Sequence, residues 1–170
     1  MKVLCVIDMQ NDFIDGSLGT KEAQAIVGNV RDKIASYRKS GGEVIFTRDT
    51  HYDNYMQTAE GRKLPIPHCI KDTEGWQISS ELLVGDSTVI DKPTFGSTEL
   101  SDYIANLDNV TSIEFVGLCT DICVISNVLL LKARLPETPI SVDSSCCAGV
   151  TPQSHNNALE AMKMCQIEIL

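Results

Sequence analysis

The feature that most constrains this chain is an end-to-end alternation of short apolar runs with longer segments of helical periodicity. KVLCVID (2–8), EVIFTRD (43–49), STVIDK (87–92), SIEFVGL (112–118), PISVD (139–143) and QIEIL (166–170) are rich in valine and isoleucine and too short for helices. The near-continuous apolar runs among them predict strands covered on both faces, as in a parallel sheet. AQAIVGNVRDKIASYRKSGG (23–42) places apolar residues at 26, 27, 30, 34 and 37, which is helical spacing, and Gly41-Gly42 stops it. Segments 97–107, 120–135 and 151–164 also read as helices, the last opening on Thr151-Pro152, a cap and first-turn pair. The expected fold is α/β: a three-layer, doubly wound, Rossmann-like, mostly parallel six-stranded sheet with right-handed crossovers. The 170 residues are the size of one domain, so 1–170 is expected to fold as a unit that buries roughly 70% of its extended-chain surface.

The balance of charge excludes some functions. A net charge of −9 argues against nucleic-acid or acidic-membrane binding, both of which need basic patches. No run reaches the roughly 18 apolar residues of a membrane span. The N-terminus meets acids and Asn too soon to read as a signal peptide, so a cytoplasmic location is expected. Seven cysteines, an odd number with two adjacent, are expected to be free thiols in a reducing compartment, most of them simply buried.

In doubly wound sheets, ligands bind beyond the carboxyl ends of the strands. The reactive residues of this chain collect there. Asp8 ends the first run, Asp49 and His51 follow the second, Lys92 ends the third, and Cys119 and Cys123 follow the fourth. A carboxylate at a strand end is commonly a cap, a lysine before proline is commonly solvated, and a cysteine on an apolar helix is commonly core. Three such residues at one sheet edge favour chemistry. Cys123 falls in the first helical turn, with Thr120 or Asp121 as the expected N-cap. Free N–H groups and the dipole would stabilise a thiolate there and hold a developing oxyanion. Lys92 would lower the thiol pKa, and Asp8 would carry protons. No histidine falls near these strands, so an Asp–Lys–Cys set fits better than a Cys–His pair.

Asp49 and His51 are two apart on an extended segment, so both side chains point the same way. With His68 they make an open site for a divalent metal, Zn²⁺, Fe²⁺ or Mn²⁺. A thiolate zinc site joining Cys119 and Cys123 to Cys146-Cys147 has the wrong spacing, and a 119–123 disulfide does not suit the cytosol. The irregular stretch 50–80 is long enough to expect a functional loop.

VIDMQNDFIDG (6–16), TRDTH (47–51), PHCIKDTEGW (67–76), DKPTFGST (91–98) and GLCTDICV (117–124) together resemble the isochorismatase-like cysteine hydrolases, most closely the nicotinamidase branch. The resemblance runs from residue 2 to about residue 165. It implies Asp8 as general base, an assisting Lys92 and a Cys123 nucleophile. It also implies a cis peptide at Leu118–Cys119 and an oxyanion hole from the Cys119 and Cys123 N–H groups. Phe13 and Leu118 would lie against substrate. Asp49, His51 and His68 would hold a metal, zinc first, that binds a pyridine nitrogen. The activity implied is hydrolysis of a small amide, nicotinamide above all, through a thioester, by a homo-oligomer with no nucleic-acid or membrane partner. Two positions depart from the branch. KLPIPHC (63–69) carries no ring-stacking tryptophan, and HYDNYM (51–56) offers Tyr, Asp or Asn where some members have a further metal-site histidine. A related hydrolase of carbamoyl or ureido compounds is the second reading. A non-catalytic ligand-binding or redox-sensing module is the third.

Overall fold

The computed structural model describes residues 1–170. The six apolar runs become β1 (Lys2–Ile7), β2 (Glu43–Asp49), β3 (Thr88–Lys92), β4 (Ser112–Leu118), β5 (Ile140–Ala148) and β6 (Glu168–Ile169). Six helices accompany them: α1 (Asn11–Ile14), α2 (Lys21–Lys39), α3 (Ala59–Lys63), α4 (Thr98–Ala105), α5 (Ile125–Arg134) and α6 (Pro152–Met164). The sheet order is β3-β2-β1-β4-β5-β6, and every pairing is parallel. The chain winds outward from β1 to β3, then restarts at β4 beside β1. The crevice at that reversal is where such folds place ligands.

Period-two alternation sorts β1 between two cores. Val3, Cys5 and Ile7 pack beneath α4, α5 and α6, while Leu4 and Val6 pack beneath α2. The Thr20 side chain caps α2 by accepting from the Ala23 N–H at 3.0 Å. Thr151 and Ser154 form a reciprocal capping box at α6, behind Pro152. At the reversal itself Gly117 pairs with Ile7 at φ 118, and any Cβ there would overlap the Ile7 backbone. Only glycine lets β1 and β4 approach so closely.

Three expectations change. The sheet is all-parallel, where a mostly parallel one was expected. β5 runs on to Ala148, because Cys147 and Ala148 pair with Gly117 and Leu118 at the end of β4, beyond a register shift between Phe115 and Gly117. The stretch 50–80 is not wholly irregular: it holds a 3₁₀ turn (Tyr55–Gln57) and α3, capped by Thr58. No helix is long and apolar enough to cross a membrane.

Candidate active site

Asp8, Lys92 and Cys123 converge at the carboxyl edge of the sheet. β3 lies two strands from β1, about 9–10 Å away, so a long side chain is needed to close the gap. Lys92 does so: its fully buried Nζ lies 2.6 Å from Asp8 Oδ2, 3.2 Å from Asp49 Oδ1 and 3.4 Å from Cys123 Sγ. Nζ also donates to the Thr94 carbonyl at 3.1 Å. Asp8 sits at φ 47, a region non-glycine residues seldom occupy. Thr47 on β2 holds it, donating to Asp8 Oδ1 at 2.6 Å and accepting from the Asp8 N–H at 3.2 Å. Asp8 Oδ2 faces the ammonium and accepts from no other donor.

These surroundings set the resting protonation. Burial pushes the Cys123 thiol well above its ordinary pKa, and the Asp8 and Asp49 charges add to that against the opposing pull of Lys92. Burial also raises Asp8, against the lowering influence of Lys92. Burial would lower Lys92, but Asp8, Cys123 and Asp49 outweigh it and hold the ammonium firmly charged. Burial and the neighbouring carboxylates therefore weigh against a resting thiolate at Cys123, and the Lys92 ammonium weighs for one. The Lys92 ammonium is shared among the Asp8 and Asp49 carboxylates and the Cys123 sulfur.

The turn that carries Cys123 also differs from expectation. Residues Thr120–Val124 form a wide π turn before α5 begins, and neither Thr120 nor Asp121 caps it. Thr120 Oγ1 instead meets His155 Nδ1 at 2.8 Å, and the Asp121 carboxylate accepts from the Val150 N–H at 3.2 Å. His155 is thus half-buried behind this turn, and burial lowers its pKa. The peptide Leu118–Cys119 is cis, and the Cys119 N–H has no partner within the protein. Leu118, expected to lie against substrate, is buried in the α2-side core and does not line the cavity. Asn127, which sequence reasoning passed over, fastens the turn to the loop after Lys92. Its amide donates to Cys123 O at 2.8 Å and Phe95 O at 3.0 Å, and its oxygen accepts from the Ser97 N–H at 2.9 Å.

Asp49, His51 and His68 meet beside Lys92, with a fourth donor, Glu60, from α3. One ligand atom from each lies within 4.8 Å of the others. His51 Nε2 is 3.1 Å and His68 Nε2 3.6 Å from Asp49 Oδ2, and Glu60 Oε1 is 3.7 Å from both imidazoles. Donors held tetrahedrally at about 2.0–2.2 Å from zinc are about 3.3–3.6 Å apart, so the set fits a divalent ion with small adjustments. His68 donates its Nδ1–H to the Ile66 carbonyl at 2.8 Å, which turns Nε2 toward the Asp49 and Glu60 carboxylates. Asp8 and Asp49 share the single ammonium of Lys92 and Glu60 adds a third carboxyl beside the imidazoles, a surplus of acidic groups that a divalent ion would offset. Burial would raise Asp49, but hydrogen bonds from His51 and His68 and the charge of Lys92 hold it below the carboxylate range. Burial and the facing Asp49 push Glu60 up. No cysteine joins a ligand cluster, and all seven are free.

Cys123 and the four ligand-bearing residues open on one cavity of about 680 Å³, large enough for a small organic ligand. Phe13 forms one wall, its ring 5.5 Å from that of His68, and Phe95 stands at the mouth, 41% exposed. Trp76 is turned away: its Nε1 donates to Thr50 Oγ1 at 2.9 Å, and the Arg48 guanidinium lies 3.6 Å from its ring centroid.

The sequence model of the isochorismatase domain matches residues 2–170. The nicotinamidase/pyrazinamidase of Mycobacterium tuberculosis is 25% identical over 189 residues, covering 100% of this chain and 98% of that one. The pyrazinamidase/nicotinamidase structure from Streptococcus mutans matches with a TM-score of 0.88 at 25% identity, over 100% of both chains. The pyrazinamidase of Pyrococcus horikoshii, solved in complex with zinc, matches with a TM-score of 0.86 at 25% identity, over 99% of this chain and 98% of that one. The chain belongs to the isochorismatase domain family, in its nicotinamidase-like branch, and is an amidohydrolase acting on C–N bonds.

Proposed function

We propose that this isochorismatase-family chain hydrolyses nicotinamide, or a close heteroaromatic amide, to the acid and ammonia through a thioester on Cys123. The observation that carries the reading is the shared, buried ammonium of Lys92, which contacts Asp8 and also Cys123 and Asp49, two residues that line one cavity. Asp8, raised by burial and with Oδ2 free of other donors, takes the proton from the Cys123 thiol. Sulfur then attacks the amide carbon, and the oxyanion settles on the N–H groups of Cys119 and Cys123. As the C–N bond breaks, Asp8 returns the proton to the leaving ammonia. Water, deprotonated by Asp8, attacks the thioester and releases the acid, and the sulfur recovers its proton. Asp49, His51, Glu60 and His68 would hold a divalent ion, with zinc suited to the mixed nitrogen and oxygen donors and iron or manganese open to them as well. Bound there, such an ion supplies a Lewis-acid anchor for a ring nitrogen. Phe13 packs against the ring that this anchor orients.

A second reading, a hydrolase of carbamoyl or ureido compounds, is favoured by one observation: the only tryptophan is tied to Thr50 and Arg48 and cannot stack on a substrate ring. The deciding experiment is ammonia release from nicotinamide by wild type, Cys123→Ala and His51→Ala in zinc-supplemented buffer. Release by wild type and loss in both variants supports nicotinamide. No release by wild type, with turnover of an N-carbamoyl or ureido compound, replaces it with the second reading.

A further inference from the structure

The motif DMQND (8–12) contributes Asp8 to the site, but its Gln10 and Asp12 remain without a role in the chemistry above. Gln10 is fully buried, and its amide is spent on one strand end. Its Oε1 accepts from the Asp49 N–H at 2.7 Å, and its Nε2 donates to the Asp49 carbonyl at 2.8 Å and the Trp76 carbonyl at 2.9 Å. A side chain thereby imitates a neighbouring strand for one residue, and that residue is the carboxylate both imidazoles face. Asp12 does the corresponding work for the other ligand segment. Its Oδ2 accepts from the Cys69 N–H at 2.7 Å, next to His68, and its own N–H donates to the Gly75 carbonyl at 2.9 Å. The Cys69 carbonyl in turn accepts from the His51 N–H at 2.9 Å. The two chain segments that carry Asp49 with His51, and His68, are thus registered by two side chains that follow β1.

We propose that Gln10 is the positioning residue of the metal site: it clamps the backbone of Asp49, with Asp12 clamping the His68–Cys69 backbone, so that the ligand cluster is preformed. This rests on the reading of Asp49, His51, Glu60 and His68 as a metal site. Backbone partners of this kind tune ligands much as second partners of histidine ligands do, and their loss typically costs about 10–100-fold in metal affinity.

The test is zinc affinity of the purified apoprotein, measured by competition with a chromophoric chelator, with the visible spectrum of the cobalt form as a second readout. Wild type, Gln10→Met, Gln10→Glu, Asp12→Asn and Asp49→Asn are compared, and the melting temperature of each apoprotein is recorded. The expected result is a loss of about 10–100-fold in zinc affinity for Gln10→Met and an altered cobalt spectrum. Gln10→Glu keeps the acceptor for the Asp49 N–H and exchanges the donor for a second acceptor; a loss of at least several-fold is expected. A role in stability alone would lower the melting temperature and leave affinity and spectrum of the folded protein unchanged, which overturns the proposal. Should Gln10→Met not fold, Gln10→Glu carries the test by the same criteria. If wild type and Asp49→Asn bind zinc equally, the metal-site reading itself fails, an outcome distinct from a silent Gln10.

Discussion

Lys92 donates a hydrogen bond to Asp49 Oδ1 at 3.2 Å, so the lysine beside the nucleophile is tied to the ligand cluster across from it. Lys92→Met therefore removes one charge and strands two buried carboxylates, Asp8 and Asp49. Breaking a buried pair in this way costs about 3–5 kcal/mol. Denaturant titration should show a loss of that order, partly restored in the double variant Asp8→Asn/Lys92→Met, which removes one stranded charge. Hydrolysis should be lost in both. A single variant as stable as wild type would mean that the carboxylates are not ionised together.

Cys123 and Cys119 border the same cavity but should respond differently to mutation. Removing a nucleophile that acts as one unit with its base costs about 10⁴-fold or more in rate. Cys123→Ala is expected to show that loss, and mass spectrometry should detect an acyl adduct on wild type quenched during turnover and none on the variant. Cys119→Ser keeps the backbone N–H, the part assigned a role, and should retain activity within about tenfold. A larger loss would give the Cys119 thiol, which burial pushes up to about 12, a task of its own.

Glu60 Oε1 lies 3.7 Å from both His51 Nε2 and His68 Nε2, and Glu60→Gln keeps its size while weakening it as a ligand. Zinc affinity by chelator competition should fall about 10–100-fold, with the fold unchanged in circular dichroism. Wild-type affinity in this variant would leave Asp49, His51 and His68 as the protein's whole ligand set.

Away from the site, Lys33 Nζ bridges Glu114 Oε1 and Asp143 Oδ2, each at 2.7 Å, between α2 and the sheet. Burial would raise Asp143, but its bonds to Lys33 and Ser145 outweigh that and hold it below the ordinary carboxylate value. A depressed carboxylate stabilises the fold above its unfolded pKa, about 3.9, and that contribution drains away as pH falls through the lower folded value. Lys33 is raised despite burial, so its own contribution is complete below its unfolded pKa, about 10.4, and is lost as pH rises through the folded value. Lys33→Met should lower the melting temperature near pH 7 and do so less at an acid pH below the lowered folded value of Asp143, where that carboxyl is neutral in wild type as well. An equal deficit at both pH values would point to lost packing.

Gly117→Ala places a methyl group against the Ile7 backbone at a φ that favours glycine. Neither strand can retreat without breaking the β1–β4 ladder, so a loss of about 3 kcal/mol or more is expected, or no folded protein. Thermal unfolding checks this, and a shift of only a degree or two would mean that the ladder yields more readily than its pairing indicates.

The legible and illegible parts of this molecule divide along a physical line. Asp8, Asp49, Lys92 and Cys123 were readable because each sits at the end of an apolar run, and a run's length and periodicity are local properties of the chain. His51 followed from its spacing to Asp49. Glu60 was not readable: it lies nine residues beyond His51 in a stretch of weak periodicity, and only the short helix α3 aims it back. Gln10, Thr47 and Asn127 were missed for another reason. Their partners lie 39 residues away, or 30 and 32 in the case of Asn127, and a polar side chain carries no mark of which distant backbone it will satisfy. The electrostatic balance at the Cys123 sulfur was not readable either, because it depends on how Lys92 shares its charge, and no spacing encodes that division.

The sequence by itself determined the order and kind of the elements, the doubly wound class, and which edge of the sheet would be reactive, because apolar runs of one length bury only as strands and must be covered by the helices between them. The tertiary structure alone decided what meets at that edge: a lysine spanning two strands, a fourth carboxylate completing the ligand cluster, a tryptophan turned away from the cavity, and a glutamine holding a strand end in place. These are contacts between residues far apart in the chain, set by packing and by the need to pair every buried polar group, and they come into being only when the sheet has closed around them.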